Sequence, residues 1–225
     1  MRTLLFELCR VTIEFSSPLT IGTGGGDDLR DSICLTDAGG LPTIPGTSVA
    51  GALRHALAGE GKVWIQDIFG FQEKQDGASS RLQVSWAQVH GSGDRPVAFR
   101  SDPGEDPLLA VLAAGVDRDH VRLNGAGVVD GHGKFDETLV PAGARFTLDL
   151  RLDAHQDEGG EPTLDTADMD RILGALASVR LGGRTRRGYG EFKVIRLLRR
   201  RFDLQRDEDR MSWGMLNRAL EKKVM

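Results

Sequence analysis

Hydrophobic and polar positions alternate near the start of the chain. Val11, Ile13 and Phe15 are separated by charged or polar residues, which is the period of a strand with one buried face. A strand is therefore predicted over residues 3–15. Glycines then interrupt the pattern at 22–26, so a loop is expected before a short strand near 32–36.

A helical period replaces the alternation after Ser48. The apolar residues now recur at spacings of three and four: Val49, Ala52, Leu53, Ala56 and Leu57. Pro45 and Gly46 precede this run and are typical of a turn into a helix, with Thr47 or Ser48 as its N-cap. An amphipathic helix is predicted, with Arg54 and His55 on its polar side.

The rest of the chain continues with strands and a second helix. Residues 82–86 alternate as a strand, and 91–107 have the composition of a loop. A long β-hairpin is predicted from two extended stretches, 120–129 and 135–152, around the glycine-rich centre 130–134. A second helix is expected from about 165 to 179, then a last strand over 191–198 and a short helix over 212–222.

This order predicts an α+β, ferredoxin-like (RRM-like) core, in which two helices cover one face of an antiparallel sheet. The 225 residues suffice for one such domain over 1–200, with inserted loops at about 59–107 and the hairpin at about 118–152. Residues 201–225 are predicted to form a C-terminal tail.

Composition excludes several classes of protein. Hydrophobic residues make up 40% and charged residues 28%, as in soluble globular chains, and no apolar run is long enough to cross a membrane. Glu7 stands where a signal peptide needs its apolar stretch, so a cytoplasmic location is expected. Cys9 and Cys34 lack the spacing of a zinc site or a disulfide framework.

Charge is unevenly distributed along the chain. The net charge is −4, yet residues 180–201 carry eight arginines and one lysine against one acid. Within this stretch, GGRTRRGYG combines glycines, which let the main chain approach a ligand, with arginines that bind phosphate oxygens. RNA-backbone contacts are therefore predicted for this loop, at Gly182, Gly183, Arg184, Thr185, Arg186, Arg187, Gly188 and Tyr189. The alternative is a helix exit with solvated arginines.

Three segments resemble the RAMP (repeat-associated mysterious protein) superfamily of CRISPR proteins. The loop GGRTRRGYG is similar to the family's glycine-rich loop, and LPTIPGTSVAGALR at 41–54 is similar to its first-helix signature, with Ala50 in place of a frequent lysine. The segment FDETLVPAGARF at 135–146 is similar to the end of the thumb hairpin in backbone subunits of type III effector complexes. With the Ile-Phe-Gly at 68–70, the resemblance spans most of residues 4–198.

The resemblance implies a backbone subunit that binds guide RNA (crRNA). Its partners would be crRNA, target RNA, other effector subunits and further copies of itself. Besides the glycine-rich loop, RNA phosphates would meet the first-helix N-terminus at Gly46, Thr47, Ser48 and Arg54, where the helix dipole favours negative charge. Otherwise Thr47 or Ser48 is simply an N-cap and Arg54 a surface charge.

The resemblance also implies a wedge and a catalytic carboxylate. In the family the thumb enters the guide–target duplex and displaces a base pair, a role that would fall here to Arg118, His120, Arg122 and Phe135. Asp31 matches the loop aspartate of catalytic subunits, and Asp27 and Asp28 are less favoured. Metal-dependent target cleavage would follow: the 2′-hydroxyl attacks the neighbouring phosphate, with Mg²⁺ or Mn²⁺ held by Asp31, RNA and water.

Two other functions stay open. The chain could be a scaffold subunit of the same fold without activity. It could also be a metal-independent endonuclease that processes guide RNA, which needs a positioned histidine or lysine as general base. The five histidines are scattered over different predicted elements, so their spacing selects no base.

Overall fold

The computed structural model describes residues 4–22, 34–97, 101–155 and 160–221, with the main chain alone at 122–123, 130–135 and 219–221. Its elements follow in chain order: β1 (Leu5–Phe15), β2 (Thr43–Ile44), α1 (Gly46–Ala56), α2 (Lys62–Phe69), β3 (Phe71–Glu73), β4 (Asp76–Ala78), β5 (Leu82–Val84), β6 (Ala87–Val89), α3 (Pro107–Ala114), β7 (Val116–Leu123), β8 (Val129–Leu139), β9 (Arg145–Asp153), α4 (Thr166–Leu176), β10 (Phe192–Asp203) and α5 (Asp207–Glu221).

The main sheet has the strand order β10-β1-β9-β6-β2, and β5 also pairs with β9. Every pairing in it is antiparallel. Along the chain α1 lies between β1 and the strands β5 and β6, and α4 lies between β9 and β10. In the sheet, β9 separates β1 from β5 and β6, and β1 separates β9 from β10. This is the split βαβ arrangement of a ferredoxin-like fold, and the predicted α+β class is confirmed.

The core lies between the sheet and the two helices. On β1, alternate residues such as Val11 and Ile13 are fully buried, as the alternation predicted. On α1, Val49 and Leu53 are fully buried, because residues four apart share one face of a helix. The helix α4 contributes its own apolar stripe, including Ile172. Both predicted helices therefore form, and each buries the predicted face.

The hairpin differs from its prediction. Strands β7 and β8 pair from Val116 opposite Leu139 to Leu123 opposite Val129, so the turn lies at 124–128. The predicted centre at 130–134 belongs to β8 instead. The extended stretch predicted over 135–152 is divided, because β9 joins the main sheet while β8 stays in the hairpin. The glycines at 131 and 133 therefore indicated the wrong position for the turn of the hairpin.

The turn has a chemical signal that composition did not reveal. The side-chain oxygen of Asn124 accepts hydrogen bonds from the main-chain N–H groups of Ala126 and Val128, at 3.0 and 3.1 Å. An asparagine that binds the backbone two residues on is a common way to form a tight turn. The sequence 124–128 therefore carries the reversal without the help of the later glycines.

The region predicted as insertions, 59–107, contains the strand predicted over 82–86, which forms as the shorter β5, and more regular structure besides. It contains α2, the β3–β4 hairpin, and β5 and β6 of the main sheet. The helix α3 begins at its end, where the Asp106 carboxylate accepts hydrogen bonds from the N–H groups of Leu108 and Leu109. Aspartate before proline is a helix-start signal, and the prediction of a loop over 91–107 overlooked it.

The C-terminal tail belongs to the fold. Strand β10 continues to Asp203 rather than ending at 198, and α5 packs back on it. The Trp213 ring lies 5.0 Å from that of Phe6 and 5.3 Å from that of Phe202, measured between centroids. Within the described ranges, no helix has the length and apolarity needed to span a membrane.

A buried histidine gives the fold a testable pH dependence. His90 is 2% exposed, with Nε2 2.8 Å from Thr147 Oγ1 and Nδ1 3.1 Å from Asp94 Oδ1. Burial lowers the pKa of His90 below its ordinary value of 6.5, although Asp94 opposes the shift and Arg145 and Arg196 add to it. The folded chain therefore binds this proton less readily than the unfolded chain does.

Protonation consequently favours the unfolded state as the pH falls. We expect the free energy of unfolding, measured by urea denaturation between pH 8 and 5, to decline below pH 6.5, by at most about 1.4 kcal/mol per pH unit for one proton. The His90→Gln variant should lose this part of the slope, whereas His55→Gln on the surface should keep it. Equal slopes in all three proteins would contradict the assignment.

Candidate nucleic-acid interface

The glycine-rich loop, residues 181–190, is fixed to the segment that follows β1. The Gly183 N–H donates to the Thr20 carbonyl at 2.8 Å, and the Gly190 N–H donates to the Pro18 carbonyl at 2.9 Å. These bonds involve only the main chain, so they hold the loop in place without consuming its side chains. The loop is therefore a preformed surface.

Two of its glycines are required by close approach. Gly182 and Gly190 have φ angles of +85° and +73°, a region that other residues rarely adopt. A Cβ atom on Gly182 would lie 2.2 Å from the Thr20 carbonyl oxygen, and one on Gly190 would lie 1.8 Å from the Leu181 carbonyl oxygen. Neither position has room for a side chain.

The outer part of the loop presents two arginines. Residues Thr185–Arg187 form a short 3₁₀ turn, bounded by Arg184 and Gly188 in the left-handed region. Arg186 and Arg187 are exposed, whereas Tyr189 is buried at the end of the loop. The predicted phosphate contacts at 186 and 187 are therefore accessible.

Arg184 has a different environment. Its guanidinium contacts Oε2 of Glu137, a carboxylate at the base of the hairpin that is 2% exposed. The same oxygen lies 3.2 Å from Nε2 of His120 on β7. A buried carboxylate needs a cationic or hydrogen-bonding partner. The structure thus brings two predicted RNA contacts, Arg184 and His120, onto one acidic group that joins the loop to the hairpin.

Ion pairs reduce the free charge of the basic segment. Besides Arg184, several of its arginines contact acids: Arg180 with Glu191, Arg196 with Asp94, Arg199 with Glu7 and Asp170, and Arg200 with Asp209. The count of arginines in 180–201 therefore overstates the local positive field, since paired charges largely cancel. The exposed pair Arg186 and Arg187 becomes the more important part of it.

A groove of about 430 Å³ separates α1 from the glycine-rich loop. It is lined by Ala52, His55 and Ala56 of α1 and by Val179, Arg180, Thr185 and Arg186. The two alanines leave space beside the helix, and the arginines make the opposite wall basic. The sequence favoured a solvated or capping role for His55 over a functional one; its position three residues after Ala52, on the same side of the helix, was the available signal.

The N-terminus of α1 lies at the opposite end of the helix from the residues that line the groove. The helix begins at Gly46, its N-cap is Pro45, and no described side chain caps it. The exposed Thr47 and half-buried Ser48 therefore lie in the first turn and do not act as the N-cap. The positive end of the helix and two hydroxyls are available to an anion. Gly46 itself packs against β5, where a Cβ would lie 2.1 Å from the Val84 carbonyl oxygen.

Arg54 points to another part of the surface. Its Nη1 donates to the Gly70 carbonyl at 3.3 Å. Successive residues of a helix are turned by about 100°, so Arg54 and His55 occupy different faces of α1. The structure thus groups His55 with the glycine-rich loop and directs Arg54 towards the end of α2.

Several predicted residues cannot be placed. Asp27, Asp28 and Asp31 lie outside the described residues, as do the side chains of Arg122 and Phe135, while Arg118 is exposed on β7. Within the described part of the chain, no three His, Cys, Asp or Glu side chains gather as a metal-ligand group. The expectation of Mg²⁺ or Mn²⁺ at Asp31 stays a prediction.

Comparison with known proteins places this geometry in a family. The sequence matches the RAMPs model, described as the RAMP superfamily, over residues 12–193, which include α1 and the glycine-rich loop. None of the curated proteins matches the sequence.

Two similar solved structures share the fold. "Cryo-EM structure of the Type III-B Cmr-beta bound to cognate target RNA" has a TM-score of 0.62 at 14% identity, covering 83% of this chain and 96% of its own. "Type III-B Cmr-beta Cryo-EM structure of the Apo state" has a TM-score of 0.57 at 15% identity, covering 84% and 97%.

Proposed function

Because the chain belongs to the RAMP superfamily, we propose that it is a guide-RNA-binding (crRNA-binding) backbone subunit of a type III CRISPR effector complex. The groove between α1 and the glycine-rich loop is the observation that carries this proposal, since its loop wall presents exposed arginines, which bind phosphate oxygens. The uncapped N-terminus of α1, at the other end of the helix, is a second anion-binding feature. The similar structures come from type III-B complexes, and one is described as bound to cognate target RNA.

The RNA strand crosses the groove with its backbone towards the protein. Arg186 and Arg187 bind phosphate oxygens at the loop, and the Thr47 N–H with the hydroxyls of Thr47 and Ser48 binds a further phosphate at the N-terminal end of α1. Contacts to phosphate and sugar carry no sequence information. Base pairing between guide and target therefore supplies the specificity, and the protein accepts any guide.

The hairpin and the aspartate segment act on the paired target. Arg118 and the tip of the hairpin enter the duplex, and target RNA, other effector subunits and further copies of this chain are the remaining partners. Asp31, rather than Asp27 or Asp28, orients the 2′-hydroxyl or holds the cation. A divalent ion, Mg²⁺ or Mn²⁺, would supply positive charge at the phosphate when bound, and one carboxylate needs RNA and water to complete its shell.

The role of the exposed arginines has a direct test. In the double variant Arg186→Gln and Arg187→Gln, we expect the affinity for single-stranded RNA to fall about 10- to 100-fold at moderate salt. The slope of log K against log salt should become shallower by roughly 0.7 for each phosphate that the protein no longer neutralises. Fluorescence anisotropy titrations at several salt concentrations measure both quantities.

A matched control removes the same charge elsewhere. Lys193 and Arg201 are exposed on β10 and do not line the groove, and their double glutamine variant should bind RNA with nearly the original salt slope. If the two double variants lose affinity equally, binding reflects overall charge and not the groove. If neither loses any, RNA does not bind at this loop.

A further inference from the structure

An irregular point in the main sheet lies at Trp86. Strand β5 pairs Val84 with Leu150, and β6 pairs Gln88 with Thr147. The β5–β6 segment thus advances four residues while β9 advances three, which is the signature of a β-bulge. Because the Ser85 N–H still bonds to the Asp149 carbonyl at 2.9 Å, the bulge falls at Trp86 and Ala87, opposite Leu148. Bulges redirect side chains and are frequent beside functional sites.

The indole of Trp86 is unusually accessible. It is 49% exposed, whereas Trp64 and Trp213 are half-buried and stack edge-on against phenylalanines. In the described part of the chain, Trp86 makes no ring–ring or cation–ring contact. A large flat apolar side chain left in water favours a partner with a flat face.

Its position relates the ring to α1. Strands β2 and β6 are antiparallel, and Ile44 pairs with Ala87. Continuing this register by one residue brings Pro45, the N-cap of α1, opposite Trp86. The Ser85 carbonyl oxygen lies 3.1 Å from where a Cβ on Gly46 would stand. The main chain at 85–86 therefore lies beside the N-terminal end of α1, and the exposed indole extends from there.

We propose that Trp86 stacks on a nucleobase of the RNA strand whose phosphate lies at the N-terminus of α1. This inference rests on the proposed RNA binding and adds a base contact to it. A ligand that offers a flat π face and an anion within one unit is a nucleotide, and aromatic stacking accepts every base. The contact therefore strengthens binding without reading sequence.

Three RNA-binding measurements test the stacking. The Trp86→Ala variant should bind mixed-sequence single-stranded RNA about 5- to 100-fold more weakly, with an unchanged salt slope. Trp86→Phe should recover most of the affinity. For an abasic strand with the same phosphates, wild type and Trp86→Ala should bind equally. Val63→Ala, which shortens another exposed apolar side chain, is the control, and thermal melting checks that each variant folds.

The outcomes separate this inference from the proposed function. If Trp86→Ala binds both strands as the wild type does, while the Arg186 and Arg187 variant is weakened, stacking is overturned and RNA binding stands. If neither set of variants is weakened, both ideas fail. Loss of assembly with other effector subunits, with RNA affinity intact, would assign Trp86 to a protein interface and overturn the stacking.

Discussion

Target cleavage by the assembled complex is expected to fall by at least about 100-fold when Asp31 is replaced by asparagine, because the amide keeps the shape but removes the charge that the reaction uses. Guide binding should stay unchanged, since the groove is untouched. Gel analysis of a labelled target RNA, in Mg²⁺ and in Mn²⁺, measures cleavage; anisotropy measures guide binding.

Described residues support the choice of this segment. Gly22 and Cys34 form a bridge, and the Leu35 N–H donates to the Ile21 carbonyl at 2.7 Å, so the two ends of the aspartate segment are held together. Cys34 also lines a cavity of about 180 Å³ with Thr138 and other residues at the base of the hairpin. The two ends of the aspartate segment thus lie beside the element proposed to distort the target strand.

Neighbouring carboxylates and a histidine supply the controls. Asp27→Asn and Asp28→Asn change the same charge in the same segment and should cleave normally. If the complex cleaves target RNA at the full rate with each of the three variants, this subunit is a scaffold and cleavage does not depend on its aspartates.

The guide-processing endonuclease has its own test. Cutting of precursor guide RNA by the isolated chain in EDTA, abolished in His55→Ala, would favour it, because His55 lines the groove.

A single methyl group added to the glycine-rich loop should destabilise the protein strongly. Gly190→Ala is expected to lower the free energy of unfolding by roughly 3 kcal/mol or more, since a Cβ would lie 1.8 Å from the Leu181 carbonyl oxygen and φ is +73°. RNA affinity should fall as well, because the shifted main chain can no longer form the hydrogen bond from the Gly190 N–H to the Pro18 carbonyl that holds the loop in place. Urea denaturation and anisotropy measure the two effects.

Gly188 provides the comparison for this prediction. It also has a positive φ, +88°, but no atom lies within 4 Å of a Cβ built there. Gly188→Ala should therefore cost only the backbone strain, about 1 kcal/mol. Equal losses in the two variants would show that conformation, and not the close approach to Leu181, makes glycine necessary at 190.

Local patterns predicted the elements well where one face of each is buried. The alternation in β1 and the apolar stripe of α1 are visible in sequence because burial repeats every two residues in a strand and every three or four in a helix. The same reasoning failed at the hairpin, since glycine is compatible with a turn and with a strand interior. It also missed α3, whose apolar run has no amphipathic period.

The amino-acid sequence was enough to establish the ferredoxin-like class, the glycine-rich loop and the family, because each depends on residues close together in the chain. Which arginines remain available to RNA depends on partners far away: Arg184 meets Glu137, on the hairpin. The places of His55 in the groove and of Trp86 beside α1 likewise follow from how strands and helices pack. Side-chain neighbours across elements are fixed by register and packing, and no local pattern encodes them.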